Sequence, residues 1–236
     1  MCGRFVVAKT SGLIATIFEV DEVIEETPVS YNIAPTNQIS MVVDRSFKDG
    51  SPDSRELHSA RWGLVPRWAK SPSESAPLIN ARIETALEKP SFKEATEKRR
   101  CLIPASGYYE WLTDGDKKIP YYVNAGDDGM FGFAGLYEWW ADPNKKPDDP
   151  TRWLLSATIL TKPGVKELAH IHERTPVFLN GDTIDHWLDN GEPAEINLLK
   201  EIARGSDEIA QEALFYRVST EVNSVKNSGR ALINPL

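Results

Sequence analysis

Short extended runs closed off by turn-forming residues set the limits on what this chain can fold into. Residues 3–7, 39–43, 101–105, 119–123, 130–135, 153–161 and 215–218 have the apolar and β-branched content of strands. Between them stand a polar stretch over 45–55 with Gly50 and Pro52, read as a hairpin loop, and the turn Asp114-Gly115-Asp116. A further surface loop, rich in proline and charge, covers 142–149. Helical periodicity is weaker and local. Leu13, Ile14, Ile17 and Phe18 predict a short amphipathic helix capped by Thr10 or Ser11. Other helices are expected from residue 85 for about ten residues and over 165–169, 184–187 and 194–209. The pattern predicts one mixed α+β domain over 2–236, a curved and largely antiparallel sheet or open barrel with short peripheral helices. Strand order is not legible in it.

With 236 residues, 41% of them hydrophobic, the chain can bury a substantial core. No apolar run reaches the roughly 18 residues that span a bilayer, and residues 1–20 lack the basic-then-apolar layout of a signal peptide. Cys2 and Cys101 form neither a disulfide framework nor a CxxC pair, so a reducing cytoplasmic compartment is expected. Neither a metal nor a cofactor is expected. His170-x-His172 lacks a third ligand nearby, and a monomer is expected because no apolar heptad runs through the chain. The net charge of −8 excludes a protein that coats nucleic acid indiscriminately. The excess acid lies mainly over 19–26 and 182–212, whereas 61–100 carries nine basic residues against five glutamates. A local phosphate-binding surface is therefore predicted from that stretch.

Cys2 becomes the first residue if the initiator methionine is removed, and a small second side chain permits that removal. The product carries an α-amine and a thiol two carbons apart, with ordinary pKa values of about 8 and about 8.5. Such a pair attacks aldehydes: the amine forms a Schiff base and the thiol closes on the imine carbon to give a thiazolidine. The competing reading is an ordinary cysteine beside a start codon.

Four further stretches carry candidate chemistry. Asn32 and Pro35 lie in Tyr31-Asn32-Ile33-Ala34-Pro35, where turn formation is the plain reading. Trp68, after Pro66 and beside Arg67 and Lys70, is either a core anchor or an exposed indole that stacks on a base. Asn80 and Arg82 point to one side if extended, either as a helix-start pair or as an anchor beside a phosphate-binding guanidinium. Glu110 is hemmed in by Tyr108, Tyr109 and Trp111, which raises a carboxyl's pKa toward acid–base use unless a structural ion pair claims it. His172 and Arg174 alternate in the same way, setting a group that titrates near neutral pH beside a fixed charge, against the alternative of a structural histidine.

Met-Cys-Gly-Arg-Phe at 1–5, Tyr-Asn-Ile-Ala-Pro at 31–35, Leu-Ile-Asn-Ala-Arg-Ile-Glu-Thr at 78–85, Gly-Tyr-Tyr-Glu-Trp at 107–111, Ile-His-Glu-Arg-Thr-Pro-Val at 171–177 and Val-Lys-Asn-Ser-Gly at 225–229 together resemble one family. It is the SRAP (SOS response-associated peptidase) family of abasic-site-processing proteins, and the resemblance runs from residue 2 to about residue 235. It implies an SRAP-type domain that captures an abasic site in single-stranded DNA, or at a junction with duplex, as a thiazolidine on Cys2. It also implies roles: Cys2 as nucleophile, Asn80 holding nucleophile and sugar, Glu110 moving protons, His172 assisting ring opening and reversal. Arg4, Arg82 and Arg174 are implied as phosphate binders, with Asn32, Pro35, Trp68 and Thr161 as further lining. Such a protein would act in the SOS and DNA damage responses, at the nucleoid when bound to damaged DNA. Trp68-Ala69 departs from relatives with two adjacent aromatic residues there, which weakens any strand wedge. Two other classes stay open: a thiol autopeptidase acting at Cys2, and a non-covalent single-strand-binding module.

Overall fold

The computed structural model describes residues 2–47, 52–74, 76–126 and 129–236. The chain opens with β1 (Arg4–Val7), α1 (Ser11–Ile17), β2 (Glu22–Val23) and β3 (Ser30–Ile33). Thr10 caps α1, its side chain accepting from Leu13 N–H at 3.4 Å. Next come β4 (Gln38–Arg45), β5 (Ser54–Trp62), β6 (Asn80–Arg82), α2 (Lys93–Lys98), β7 (Arg100–Ala105), β8 (Gly107–Asp114) and β9 (Lys117–Asn124). The remainder is β10 (Phe131–Ala141), β11 (Trp153–Pro163), α3 (Lys166–Ile171), β12 (Arg174–Pro176), β13 (Phe178–Leu179), α4 (Gly181–Leu188), α5 (Ile196–Glu212) and β14 (Leu214–Arg217).

Two sheets result. One has the order β14-β9-β8-β1-β3 and is antiparallel throughout. The other runs β12-β11-β10-β7-β4-β5-β2, and a parallel pairing of Ser156 and Ala157 with Arg61 and Trp62 joins β11 back to β5. That pairing closes β5, β4, β7, β10 and β11 into a ring, so the expected sheet or open barrel is a closed one at this point. The α+β class and the largely antiparallel pairing agree with the sequence pattern.

Several elements differ from expectation: the stretch read as a turn at 31–35 begins within β3, β8 was not expected as a strand, and a helix and a further strand also depart. The single helix from residue 85 is instead a 3-10 turn at Ile83–Thr85, a break, and then α2. Pro90 explains the break, since the residue before a proline is driven out of the helical region. β5 was not foreseen, because only Leu57, Ala60 and Trp62 of its nine residues are apolar and buried. Gly50 and Ser51 of the expected 45–55 loop lie outside the described residues, but β4 and β5 pair antiparallel on either side of it, Arg45 opposite Ser54.

The main core gathers Phe5, Trp62, Phe133 and Cys2, with Phe5 edge-on to Trp62 at 5.0 Å. A smaller core on the other side of β1 and β8 holds Val6, Tyr109, Tyr122, Val218, Val222 and Leu232. The chain's last third therefore seals one face of the sheet that carries the N-terminus. Gly107 sits where β8 crosses β9 closely: a Cβ there would lie 2.4 Å from the Val123 carbonyl oxygen and 2.6 Å from the Tyr122 ring. Gly107→Ala is expected to destabilise by about 1–3 kcal/mol. Each kcal/mol lowers Tm by roughly 2–4 °C in a domain of this size, so calorimetry checks it.

Candidate functional site

β1 carries the N-terminal segment into the middle of the antiparallel sheet, with Arg4 opposite Tyr109 and Phe5 opposite Tyr108. One step further along that register brings Cys2-Gly3 alongside Glu110. Cys2 is fully buried, and its Sγ lies 4.0 Å from the Arg4 carbonyl oxygen. Burial, reinforced by the charge of Glu110, pushes the Cys2 thiol well up. A thiol so placed stays protonated at neutral pH.

β6 delivers Asn80 from the barrel side, through its parallel pairing with β11 that sets Asn80 opposite Ile159 and Arg82 opposite Thr161. Asn80 Nδ2 donates to the Cys2 carbonyl oxygen at 2.8 Å. Its Oδ1 is buried and meets no hydrogen-bond partner among the described residues. An unsatisfied buried acceptor beside the Cys2 backbone is costly in the free protein and is suited to receiving a donor from a bound molecule.

Glu110 is buried, at 5% exposure, and burial raises its carboxyl's pKa against the opposing influence of His172. Carboxyl and imidazole are therefore electrostatic neighbours. His172 follows α3 directly, and its N–H donates to the Leu168 carbonyl at 3.0 Å. Its Nδ1 accepts from the Arg174 backbone N–H at 3.0 Å, which leaves Nε2 to carry the proton of the neutral ring. Tyr108 lies close to both Glu110 and Cys2, and burial raises its hydroxyl's pKa before either of those charges adds to the effect.

The remaining residues singled out in the sequence divide in two. Trp68 is 67% exposed and Arg82 is exposed, so both are available at the surface; Pro35 is half-buried. Arg4, Asn32, Thr161 and Arg174 are instead engaged within the fold. Arg4 donates from Nη1 to Asn32 Oδ1 at 2.5 Å and to the Val222 carbonyl at 2.9 Å, and from Nη2 to the Asn223 carbonyl at 3.2 Å. Burial lowers its guanidinium's pKa. Asn32 Nδ2 donates to the carbonyls of Ser224 and Asn227 at 3.0 and 2.9 Å. Both side chains thus tie down the segment 222–227.

Thr161 has no exposed surface, and its place is beneath Arg174. Arg174 is 7% exposed, and its guanidinium forms a bidentate pair with Glu84, Nη1 to Oε1 at 2.6 Å and Nη2 to Oε2 at 2.9 Å. Nη2 also donates to the Thr161 carbonyl at 2.6 Å. Burial works to raise the Glu84 carboxyl's pKa, but its bonds to Arg174 outweigh that and hold it below the ordinary value. Sequence reasoning gave Glu84 no role. Its only signal was an acid two residues after Arg82. Among the described residues no group of three His, Cys, Asp or Glu side chains is arranged to hold a metal, and no helix is long and apolar enough to cross a membrane.

A buried thiol, a carboxyl and an imidazole are drawn together from the segment before β1, from β8 and from the α3–β12 junction on an α+β barrel scaffold. The chain belongs to the SOS response associated peptidase (SRAP) family, whose model matches residues 1–225. It is similar to the abasic site processing protein YoqW of Bacillus subtilis, 37% identical over 236 residues and 99% of each chain. YedK of Escherichia coli, also named an abasic site processing protein, is 30% identical over all of both chains. The chicken abasic site processing protein HMCES is 33% identical over 88% of this chain and 66% of its own. Among solved structures, a protein from Bacteroides thetaiotaomicron aligns over the whole of both chains with a TM-score of 0.76 at 22% identity, a likeness of fold.

Proposed function

We propose that this protein captures abasic sites in single-stranded DNA by forming a thiazolidine between Cys2 and the sugar C1′. The observation that carries the reading is the grip of Asn80 on the Cys2 carbonyl with Glu110 alongside, which holds a residue near the chain terminus for chemistry. Relatives named as abasic site processing proteins support the same reading. The abasic sugar is mostly a closed hemiacetal, so the ring oxygen must take a proton before an aldehyde exists. The protonated Glu110 carboxyl gives that proton and takes the one leaving the C1′ hydroxyl, while the neutral His172 ring assists as a hydrogen-bond donor through Nε2–H. With Met1 removed, the neutral Cys2 amine adds to C1′, and Glu110 protonates the departing hydroxyl, so that water leaves and a protonated imine forms. The carboxylate then accepts the thiol proton as sulfur bonds to C1′. Amine, thiol and aldehyde become a thiazolidine and one water, and Glu110 ends protonated as it began. A thiol kept neutral by burial fits this order, in which the amine attacks first.

Incubation with a single-stranded oligonucleotide carrying one abasic site tests the reading against an intact oligonucleotide. An adduct that survives denaturation is expected with the first only; equal labelling of both, or of neither, counts against it. Trp68 serves as the base-stacking surface. Trp68→Ala is expected to weaken non-covalent binding by about 1–3 kcal/mol, or roughly 5- to 150-fold, in a fluorescence-anisotropy titration with undamaged single strand.

A further inference from the structure

We propose that Glu84 is a positioning residue which, through Arg174, fixes the tautomer and orientation of the His172 imidazole; its importance for DNA capture rests on the abasic-site reading above. β12 is an edge strand of three residues pairing only with β11. Its register sets Arg174 opposite Pro163 and Pro176 opposite Thr161. The Gly164 N–H donates to the Glu173 carbonyl at 2.8 Å and the Val177 N–H to the Leu160 carbonyl at 2.9 Å, so in this alternating antiparallel ladder Arg174 and Pro176 occupy the non-hydrogen-bonded positions. The ladder therefore makes no backbone bond of its own to the first residue of β12. That residue is Arg174, whose backbone N–H is the donor to His172 Nδ1.

The side chain adds an anchor at that position. Its guanidinium is clamped by both Glu84 oxygens and by the Thr161 carbonyl, which is itself fixed between β6 and β12. Bidentate arginine–carboxylate pairs set direction as well as distance. An exposed ion pair contributes little, but here the arginine is buried, and removing its partner leaves an uncompensated charge inside the fold. Glu84 sits on the 3-10 turn directly after Arg82, with its side chain 42% exposed, yet it turns inward to make this pair. The line of contact is continuous: Glu84 to the Arg174 guanidinium, and the Arg174 backbone N–H to His172 Nδ1, which puts the ring proton on Nε2. Arg174 therefore acts in the free protein mainly on its neighbour two residues back, with its charge already compensated.

The test reads the imidazole directly, without DNA. In protein labelled with 15N-histidine, long-range nitrogen–proton correlation spectra report the tautomer of each of the four histidines, and His172→Gln identifies the signal wanted. In the wild type His172 is expected as the Nε2–H form. Glu84→Gln, which keeps the shape but loses one acceptor oxygen and the charge, is expected to give a mixture of tautomers. Glu84→Asp, which restores the charge on a shorter arm, is expected to fall between and covers the case in which the glutamine variant folds poorly. Crosslinking to abasic single strand should slow by about tenfold in Glu84→Gln, a fraction of what a whole acid–base group supplies, with a shifted pH profile and no loss of affinity for undamaged strand. A His172 signal that stays wholly Nε2–H in both variants overturns the proposal. A tautomer change in a protein whose wild type forms no adduct leaves the positioning link standing and removes the abasic-site reading instead.

Discussion

Cys2→Ala is expected to form no denaturation-stable adduct with an abasic site while still binding single-stranded DNA. Alanine is also small enough to permit loss of the initiator methionine, so the variant keeps a free α-amine in the same place, held by Asn80 through the residue 2 carbonyl. The amine still condenses with the aldehyde. Without sulfur, however, the imine has no internal nucleophile to close the ring, and water returns it to aldehyde and amine. Borohydride, which reduces an imine to a stable amine, is therefore expected to trap Cys2→Ala on the DNA, whereas the wild type needs no reductant. The pair of gels, with and without reductant, separates the two halves of the nucleophile. A stable adduct from Cys2→Ala without reductant would remove the thiazolidine.

Glu110→Gln is expected to slow adduct formation by about 10²- to 10⁴-fold, the range over which a positioned acid–base group acts. Glutamine preserves the volume and can neither protonate the departing hydroxyl nor accept the thiol proton. The pH dependence follows from the direction of the Glu110 shift. Its pKa in the folded protein is raised by burial, so the protonated, proton-donating form persists above the ordinary carboxylate range. The wild-type rate should therefore fall as pH rises through that raised value, and this limb should vanish in Glu110→Gln. Stability responds to the substitution in the opposite direction. A carboxyl with a raised folded pKa binds its proton more tightly folded than unfolded, so it costs stability as pH rises from the unfolded value through the folded one. Glu110→Gln removes that cost, and its Tm at neutral pH should equal or exceed that of the wild type. A variant that is both slow and markedly less stable would point to structural damage.

The site was legible in the sequence where chemistry is carried by short contiguous motifs. Cys2, Asn80, Glu110 and His172 each stand in a run whose neighbours explain their placing: a strand directly after Cys2, an extended triplet at Asn80, aromatic residues around Glu110. What the sequence did not disclose depends on partners far along the chain. Arg4 and Asn32 read as phosphate and DNA contacts, but they hold carbonyls more than 190 residues away, in a stretch too polar to declare that it is docked. Thr161 read as lining and is buried under Arg174. The closure of the barrel escaped for a related reason. β5 pairs with β4, β11 and β2, so its polar residues are satisfied by strands on both sides, and no simple alternation of apolar and polar residues marks it. The Glu84–Arg174 pair, spanning 90 residues, belongs to the same category.

These two kinds of residue divide the work. Those foreseen meet the reacting atoms in the proposed mechanism, and those not foreseen hold them there. Arg4 and Asn32 fix the segment 222–227 against the sheet that bears Cys2, where Trp111 Nε1 also donates to Asn223 Oδ1 at 2.7 Å. In the proposed function the exposed Arg82 and Trp68 are left as the residues through which a strand is gripped.

Intact mass spectrometry of wild-type protein after reaction with an abasic single-stranded oligonucleotide, without reductant, tests the central claim most directly. The expected species is the protein lacking Met1 joined to the full oligonucleotide, one water lighter than their sum, with fragmentation placing the link on Cys2. Protein proven to lack Met1 that yields only unmodified mass, or an adduct mapped to another residue, would contradict it.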